Sequence, residues 1–267
     1  MEIIGYLVSI LIGISLGLIG SGGSILTVPL LVYFFHVSPL LATTYSLAIV
    51  GLSSIAGVIS RLKQKLVDFK TILVFGIPSI IGVFSSRKFL LPAIPELIYD
   101  GPAILVTKSH FIMLFFATLM LIAALSMILG KNKKEQEGVL PVYGFSLMLV
   151  GFCEGSLTGI VGAGGGFLII PALVILAKLP MKRAIASSLV IISIKSLVGF
   201  TGDLLHTTVD WNFLSKIILL ATAGIITGNY LNKKMEGAKL KKGFGFFVLA
   251  MAIIIFIEQF FFSNLIS

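Results

Sequence analysis

The ten residues Gly20–Pro29, GSGGSILTVP, return as Gly162–Pro171, GAGGGFLIIP, and each copy breaks an otherwise apolar stretch with glycine. The spacing of 142 residues holds well beyond the glycines. At that offset Ala42, Ser46, Leu47, Gly57, Val67, Asp68 and Gly82 meet Ala184, Ser188, Leu189, Gly199, Val209, Asp210 and Gly224. Self-similarity at a fixed offset marks an internal duplication, with a first transmembrane repeat over 1–138 and a second over 139–267. Glycine-interrupted hydrophobic segments at matching places in two halves point to the binding site of a transporter.

Composition fixes the solvent of this duplicated unit. Of 267 residues, 57% are hydrophobic and only 12% charged, with a mean hydropathy of +1.12. A soluble domain carries about twice that charge fraction. Runs such as Phe111–Leu129 and Phe244–Ile257 suit helices crossing roughly 30 Å of hydrocarbon. The expected fold is therefore all-α, a polytopic bundle in a lipid bilayer. The net charge of +9 does not indicate nucleic acid, because no soluble domain exists to carry a basic face; loop lysines explain it. The lone Cys153 excludes an internal disulfide and a cysteine metal cluster. No A-x-A-like cleavage site follows the first apolar stretch, so Met1–Ile19 reads as retained structure.

Ten helical elements can be drawn, five per repeat. The first repeat gives Ile3–Ile19, Ser24–Phe35, Leu40–Ser60, Phe69–Phe84 and Ser109–Leu129. The second gives Leu140–Ile160, Phe167–Ala177, Arg183–Phe200, Trp211–Leu231 and Phe244–Phe262. The short second element of each repeat either continues the first helix or folds back as the other arm of a hairpin. Charge favours the hairpin, because it places the basic loops Arg61–Lys70, Lys131–Gly138, Lys178–Arg183 and Asn232–Lys242 on one face. Arg87, Lys88, Lys108 and Lys216 fall on the other face, and Leu91–Pro102 reads there as an extracellular loop. An uninterrupted helix over Ile3–Phe35 would be about 50 Å long and would lose that asymmetry. Five elements per repeat make the second repeat enter from the opposite side. Arg61–Lys70 is accordingly basic where its counterpart Asp203–Asn212 has two aspartates, and both termini are expected outside.

The motif G-x-G-G-G-x-x-x-x-P at Gly162–Pro171, its weaker copy at Gly20–Pro29, the hydroxyl-bearing segments Thr43–Ser46 and Ala184–Ser188, and the V-D-aromatic steps at Val67 and Val209 resemble the TauE/SafE (TSUP) family of sulfite and organosulfonate permeases. The resemblance spans both repeats. It implies a cell (cytoplasmic) membrane permease that moves sulfite, a sulfonate or a related anion without a bound cofactor. The first repeat departs from the fuller pattern. Ser24 stands for the third glycine, and Arg61–Leu66 replaces the His and Gly expected before the aspartate. The second repeat has His206 near that place, followed by Thr207 and Thr208 instead of glycine.

Physical chemistry supports an anion site apart from any resemblance. A non-helical turn in the bilayer must be shielded from lipid, and glycine lets neighbouring helices approach it. The turn leaves the first N–H groups of the next half-helix unpaired, at the positive end of its dipole. Gly20, Gly22, Gly23, Gly162, Gly164, Gly165 and Gly166 are thus candidates for substrate binding or, on the other reading, for close packing alone. Ser24, Thr27, Thr43, Ser46, Ser187 and Ser188 could complete the site or bond their own helix backbone. Thr43 shares a helical face with Ser46 and Leu47.

Charges at membrane depth carry information because they are costly there. Glu154 precedes the second glycine turn and Lys195 falls within Arg183–Phe200; their counterparts are Ile12 and Ser53. Glu154 could carry a coupling proton and Lys195 could neutralise the substrate, or the two could form a structural ion pair. Asp68 and Asp210, each before an aromatic helix start, read as N-caps. His36, His110 and His206 lack ligand-spaced partners, so no metal site is expected. An intramembrane hydrolase built on Ser21 and His206 is disfavoured because the copy replaces Ser21 by Ala163. A transporter rather than an enzyme is expected. Alternating access, a passive channel, a carrier of another small organic anion and a homo-oligomer all stay open.

Overall fold

The computed structural model describes residues 2–100, 105–129, 144–162, 164–204, 207–234 and 237–261. It is helical, as the apolar runs require. Helices α1 (Glu2–Ile19), α2 (Thr27–Phe35), α3 (Pro39–Lys63), α4 (Phe69–Ala93) and α5 (Lys108–Leu129) come from the first repeat. Helices α6 (Gly144–Val161), α7 (Gly166–Ile175), α8 (Met181–Asp203), α9 (Trp211–Lys234) and α10 (Gly237–Phe261) come from the second. Six of them, α3, α4, α5, α6, α8 and α9, contain stretches long and apolar enough to cross a membrane; Ile4–Ile19, Ser24–Phe35 and Val248–Gln259 are shorter apolar helical stretches. Large side chains on outward faces, among them Leu7, Leu73, Phe145 and Leu219, are exposed, as a bundle solvated by lipid demands. The expected boundary between the repeats lies outside the described residues.

The two short arms, α2 and α7, are separate from the helices before them. A 3₁₀ segment, Gly20–Leu26, joins α1 to α2, and a glycine turn joins α6 to α7. The α-helix of the first arm consequently starts at Thr27, not at Ser24. Both arms end alike. His36 and Lys178 take left-handed conformations, with φ of 53° and 52°, and the next N–H groups, of Val37 and Leu179, bond back to Leu31 O and Leu173 O. Each bond closes a left-handed helix stop one residue wider than the six-to-one bond of a Schellman motif, at positions related by the repeat offset.

Contacts between the repeats follow the same offset. Helix α1 packs beside α9, where a Cβ on Gly13 would fall 2.0 Å from the Ala221 carbonyl oxygen. Helix α6 packs beside α4, where a Cβ on Gly155 would fall 2.0 Å from the Ser79 carbonyl oxygen. Gly13 corresponds to Gly155, and Ser79 to Ala221. At the centre, α3 and α8 run antiparallel, with Leu47 against Gly199 and Leu189 against Gly57. The Ser193 hydroxyl donates to Gly51 O at 3.2 Å, a bond between two residues that are themselves counterparts. Apolar side chains including Ile25, Val28, Leu47, Ile49 and Phe116 fill the core around this crossing.

Several sequence expectations need correction. Helix α4 does not stop at Phe84: two π-helical turns, Ile72–Gly76 and Ser86–Leu90, carry it through to Ala93. A π turn admits an extra residue and so changes the faces on which later side chains emerge. Arg87, expected in a loop, is buried as a result, and so is Asp203, the last residue of α8. The segment expected as a loop over Leu91–Pro102 begins as helix and continues into strand β1 (Leu97–Asp100), paired antiparallel with β2 (Leu105–Thr107). Lys108, expected just before the helix Ser109–Leu129, is its first residue and is buried, 3.4 Å from Glu96.

Candidate functional site

The glycine turn between α6 and α7 lies where several elements converge. Gly162, Gly164 and Gly165 all take positive φ, of +69°, +63° and +71°. This backbone is open to glycine and strained for other residues. Neighbours press on it as well. A Cβ on Gly165 would stand 2.3 Å from Glu154 Oε1 and 2.5 Å from Thr158 Cβ, whereas one on Gly162 would stand 2.2 Å from Thr43 Cβ and 2.3 Å from Arg87 Nη2. Gly164 faces Ile192 and Ser196 of α8. Beyond the turn, α7 begins at Gly166, and the N–H groups of Leu168 and Ile169 already return to Gly165 O.

Beneath Gly165 lies a buried ion pair. Lys195 Nζ sits 2.5 Å from Glu154 Oε1 and also donates to Thr158 Oγ1 at 3.2 Å; the Ser79 hydroxyl donates to Glu154 Oε2 at 2.7 Å. Three helices supply the group: α4 gives Ser79, α6 gives Glu154 and Thr158 one turn apart, and α8 gives Lys195. Removing both charges from water is expensive, and these hydroxyls satisfy part of their remaining hydrogen-bonding demand.

Beneath Gly162 lies a second pair. Arg87 Nη1 is 2.7 Å from Asp203 Oδ2 and donates to Thr43 Oγ1 at 3.2 Å, while the Thr44 hydroxyl donates to the same aspartate oxygen at 2.6 Å. Thr43 also bonds Leu40 O within its own helix. The sequence singled out Thr43 but missed Arg87, Asp203, Thr44, Ser79 and Thr158. The sequence held a signal for Thr158 alone, which follows Glu154 at the four-residue spacing of one helical face. Asp203 is the counterpart of Arg61, which is likewise buried at a helix end, where it donates to Asn232 Oδ1 at 2.8 Å and Gly17 O at 2.9 Å.

The other candidates lie outside these two clusters. The Ser187 hydroxyl accepts from the Asp68 N–H at 2.9 Å, and the Ser188 hydroxyl bonds Ile185 O within α8. Ser46 and Thr27 are fully buried with unpaired hydroxyls. Gly22, Gly23 and Ser24 lie in the 3₁₀ segment, and Gly20 approaches Ile185 at the start of α8. Ile185 is the counterpart of Thr43, so each glycine region rests on the third helix of the other repeat. Asp68 and Asp210 act as N-caps, accepting from Thr71 N at 2.8 Å and from Phe213 N at 3.0 Å. His206 lies outside the described residues. Among the described residues no cluster of His, Cys, Asp and Glu could hold a metal ion.

Comparison with known proteins finds membrane transporters over most of the chain. The family model TauE, sulfite exporter TauE/SafE, matches residues 5–255. A probable membrane transporter protein of Xylella fastidiosa (strain 9a5c) is 30% identical over 250 residues, covering 91% of this chain and 90% of its own length. The probable membrane transporter protein YunE of Bacillus subtilis is 26% identical over 263 residues, covering 86% and 90%. MJ0441 of Methanocaldococcus jannaschii, another probable membrane transporter protein, is 28% identical over 215 residues, covering 76% and 72%. No solved structure matches the chain significantly.

Proposed function

The chain belongs to the sulfite exporter TauE/SafE family of membrane transporters, and from that premise we propose that it moves a small sulfur-containing anion, sulfite, a sulfonate or a relative, by alternating access coupled to protons. One observation carries the reading: the left-handed glycine turn that opens α7 rests directly on the buried Glu154–Lys195 pair. N–H groups and the helix dipole at the start of α7 attract an anion, and Lys195 supplies the full positive charge. A proton on Glu154 releases Lys195 to the anion; its loss returns Lys195 to the carboxylate. Binding and protonation are thereby linked through one lysine.

The offset-related contacts support an inverted repeat. Antiparallel counterparts α3 and α8 would act as the hinge, and rocking one repeat against the other would open the turn to either side. In this topology the loop at Lys65 is cytoplasmic, while Ala93 and both termini are outside. A cysteine at Lys65 in a Cys153→Ala background should then be protected from an impermeant thiol reagent in intact cells, whereas one at Ala93 should label. The opposite pattern reverses the orientation.

Flux in proteoliposomes tests the function. Sulfite, thiosulfate, a sulfonate and a carboxylate are offered with and without a pH gradient, and saturable, gradient-driven uptake of a sulfur anion is expected. Uptake of carboxylates alone would move the assignment to another organic anion, and non-saturable flux indifferent to the gradient would indicate a channel.

A further inference from the structure

Arg87 is 3% exposed, yet only Nη1 of its guanidinium is engaged, by Asp203 and Thr43. Both Nε and Nη2 are buried without a partner. Leaving a buried donor unpaired costs roughly 1–3 kcal/mol, so an empty guanidinium edge calls for an explanation. That edge presents two parallel N–H groups, the fork that fits two oxygens of one oxyanion side-on. Gly162 covers it closely, because a Cβ there would stand 2.3 Å from Nη2. The counterpart of Arg87 in the second repeat is Asn229, which is buried with both amide atoms unpaired and has no charge to offer. Both repeats thus leave polar atoms unpaired at this position, and the first alone places a positive charge there.

We propose that the Nε–Nη2 edge of Arg87 is an oxyanion-binding site, shut in this conformation by the Gly162 turn and open when the turn moves away from α4. Asp203 and Thr43 hold Nη1 and so aim the free edge at the turn, and the Asp203 carboxylate balances the arginine while no anion is bound. The ligand is a small pyramidal or tetrahedral oxyanion such as sulfite or a sulfonate. This inference rests on the anion-carrier reading and adds an anchor separate from Lys195, three residues along the same turn.

Binding of sulfite, sulfate and acetate to the purified full chain in detergent, followed by calorimetry and thermal shift, tests it. Arg87→Lys keeps a cation beside Asp203 but removes the fork, and it should weaken sulfite binding ~10-fold or more per folded molecule. Asp203→Asn removes the competing carboxylate and should tighten sulfite and sulfate binding. If the pair is only structural, both variants lower the yield of folded protein and leave the affinity of the surviving molecules unchanged, which overturns the proposal. Should Arg87→Lys fail to fold, Asp203→Asn alone decides. Wild-type protein that binds none of the three anions would remove the sulfur-anion assignment. The arginine site would then stand or fall on whether Asp203→Asn binds sulfate.

Discussion

The crossing of α4 with α6 and the crossing of α1 with α9 are two versions of one interface. Glycines bring the backbones together at matching positions in both, Gly155 against Ser79 and Gly13 against Ala221. Around these contacts the side chains diverge. Glu154, Thr158, Ser79 and Lys195 occupy one version, whereas Ile12, Leu16, Ala221 and Ser53 occupy the other, and all eight are buried. The apolar version demonstrates that the crossing needs no charge to form. A buried ion pair is weak evidence for stability, since apolar residues of similar size often do as well. Backbone proximity therefore carries the architecture, and the proposed function gives the charges of the α4–α6 crossing a task that packing does not set.

Removing one charge should have the largest effect on this contrast. Lys195→Met leaves Glu154 without its cation and should cost ~3–5 kcal/mol, seen as loss of folded protein in detergent. Combining Glu154→Gln with Lys195→Met removes both charges and makes the crossing resemble its neutral counterpart. The pair should regain most of the folded yield while flux in proteoliposomes stays absent. Recovery of flux along with yield would show that the charges serve stability alone, and the contrast between the crossings would lose its functional meaning.

The glycines test the shared half of the comparison. Gly13→Ala and Gly155→Ala each drive a methyl group into a backbone carbonyl, and overpacking of this kind costs ~1–3 kcal/mol. Both variants should lose thermal stability by similar amounts, measured by the midpoint of detergent-phase unfolding. A large loss at Gly155 beside none at Gly13 would mean that the two crossings are not packed alike.

The same division explains how much was legible in the sequence. Features imposed by backbone packing could be read: the glycine breaks, the short arms and the caps at Asp68 and Asp210 follow from residue types with few conformational choices. Glu154 and Lys195 also stood out, because charge in an apolar run is rare. Arg87 did not. The run Ser-Ser-Arg-Lys before a proline-containing stretch looks like a helix end, and only the π turn at Ser86–Leu90 continues α4 and buries the guanidinium. Asp203 was hidden for the same reason, as an aspartate near a predicted helix end reads as loop. Ser187 shows the opposite failure. Its hydroxyl looked available for a ligand, but it serves the Asp68 N–H, a contact between segments far apart in the chain.

That last contact has a counterpart and yields the smallest expected effect. Where Ser187 accepts from the Asp68 N–H, the Tyr45 hydroxyl accepts from the Asp210 N–H at 2.9 Å; Tyr45 corresponds to Ser187 and Asp210 to Asp68. The two bonds tie the loops before α4 and α9 to α8 and α3, with different side chains in the same role. Their surroundings differ as well. Asp68 has Arg183 at 3.7 Å, whereas Asp210 and Tyr45 line a cavity of about 520 Å³ with His36 and Phe213. Each bond is a neutral hydrogen bond, worth ~0.5–1.5 kcal/mol net. Ser187→Ala and Tyr45→Phe should thus each lower stability by about 1 kcal/mol, and the double variant should lose the sum, because distant bonds that share no partner add. Unfolding midpoints of the four proteins measure it. If Tyr45→Phe costs nothing, water from the cavity has replaced the lost bond at the Asp210 N–H, and the equivalence of the two loop ties ends at their geometry.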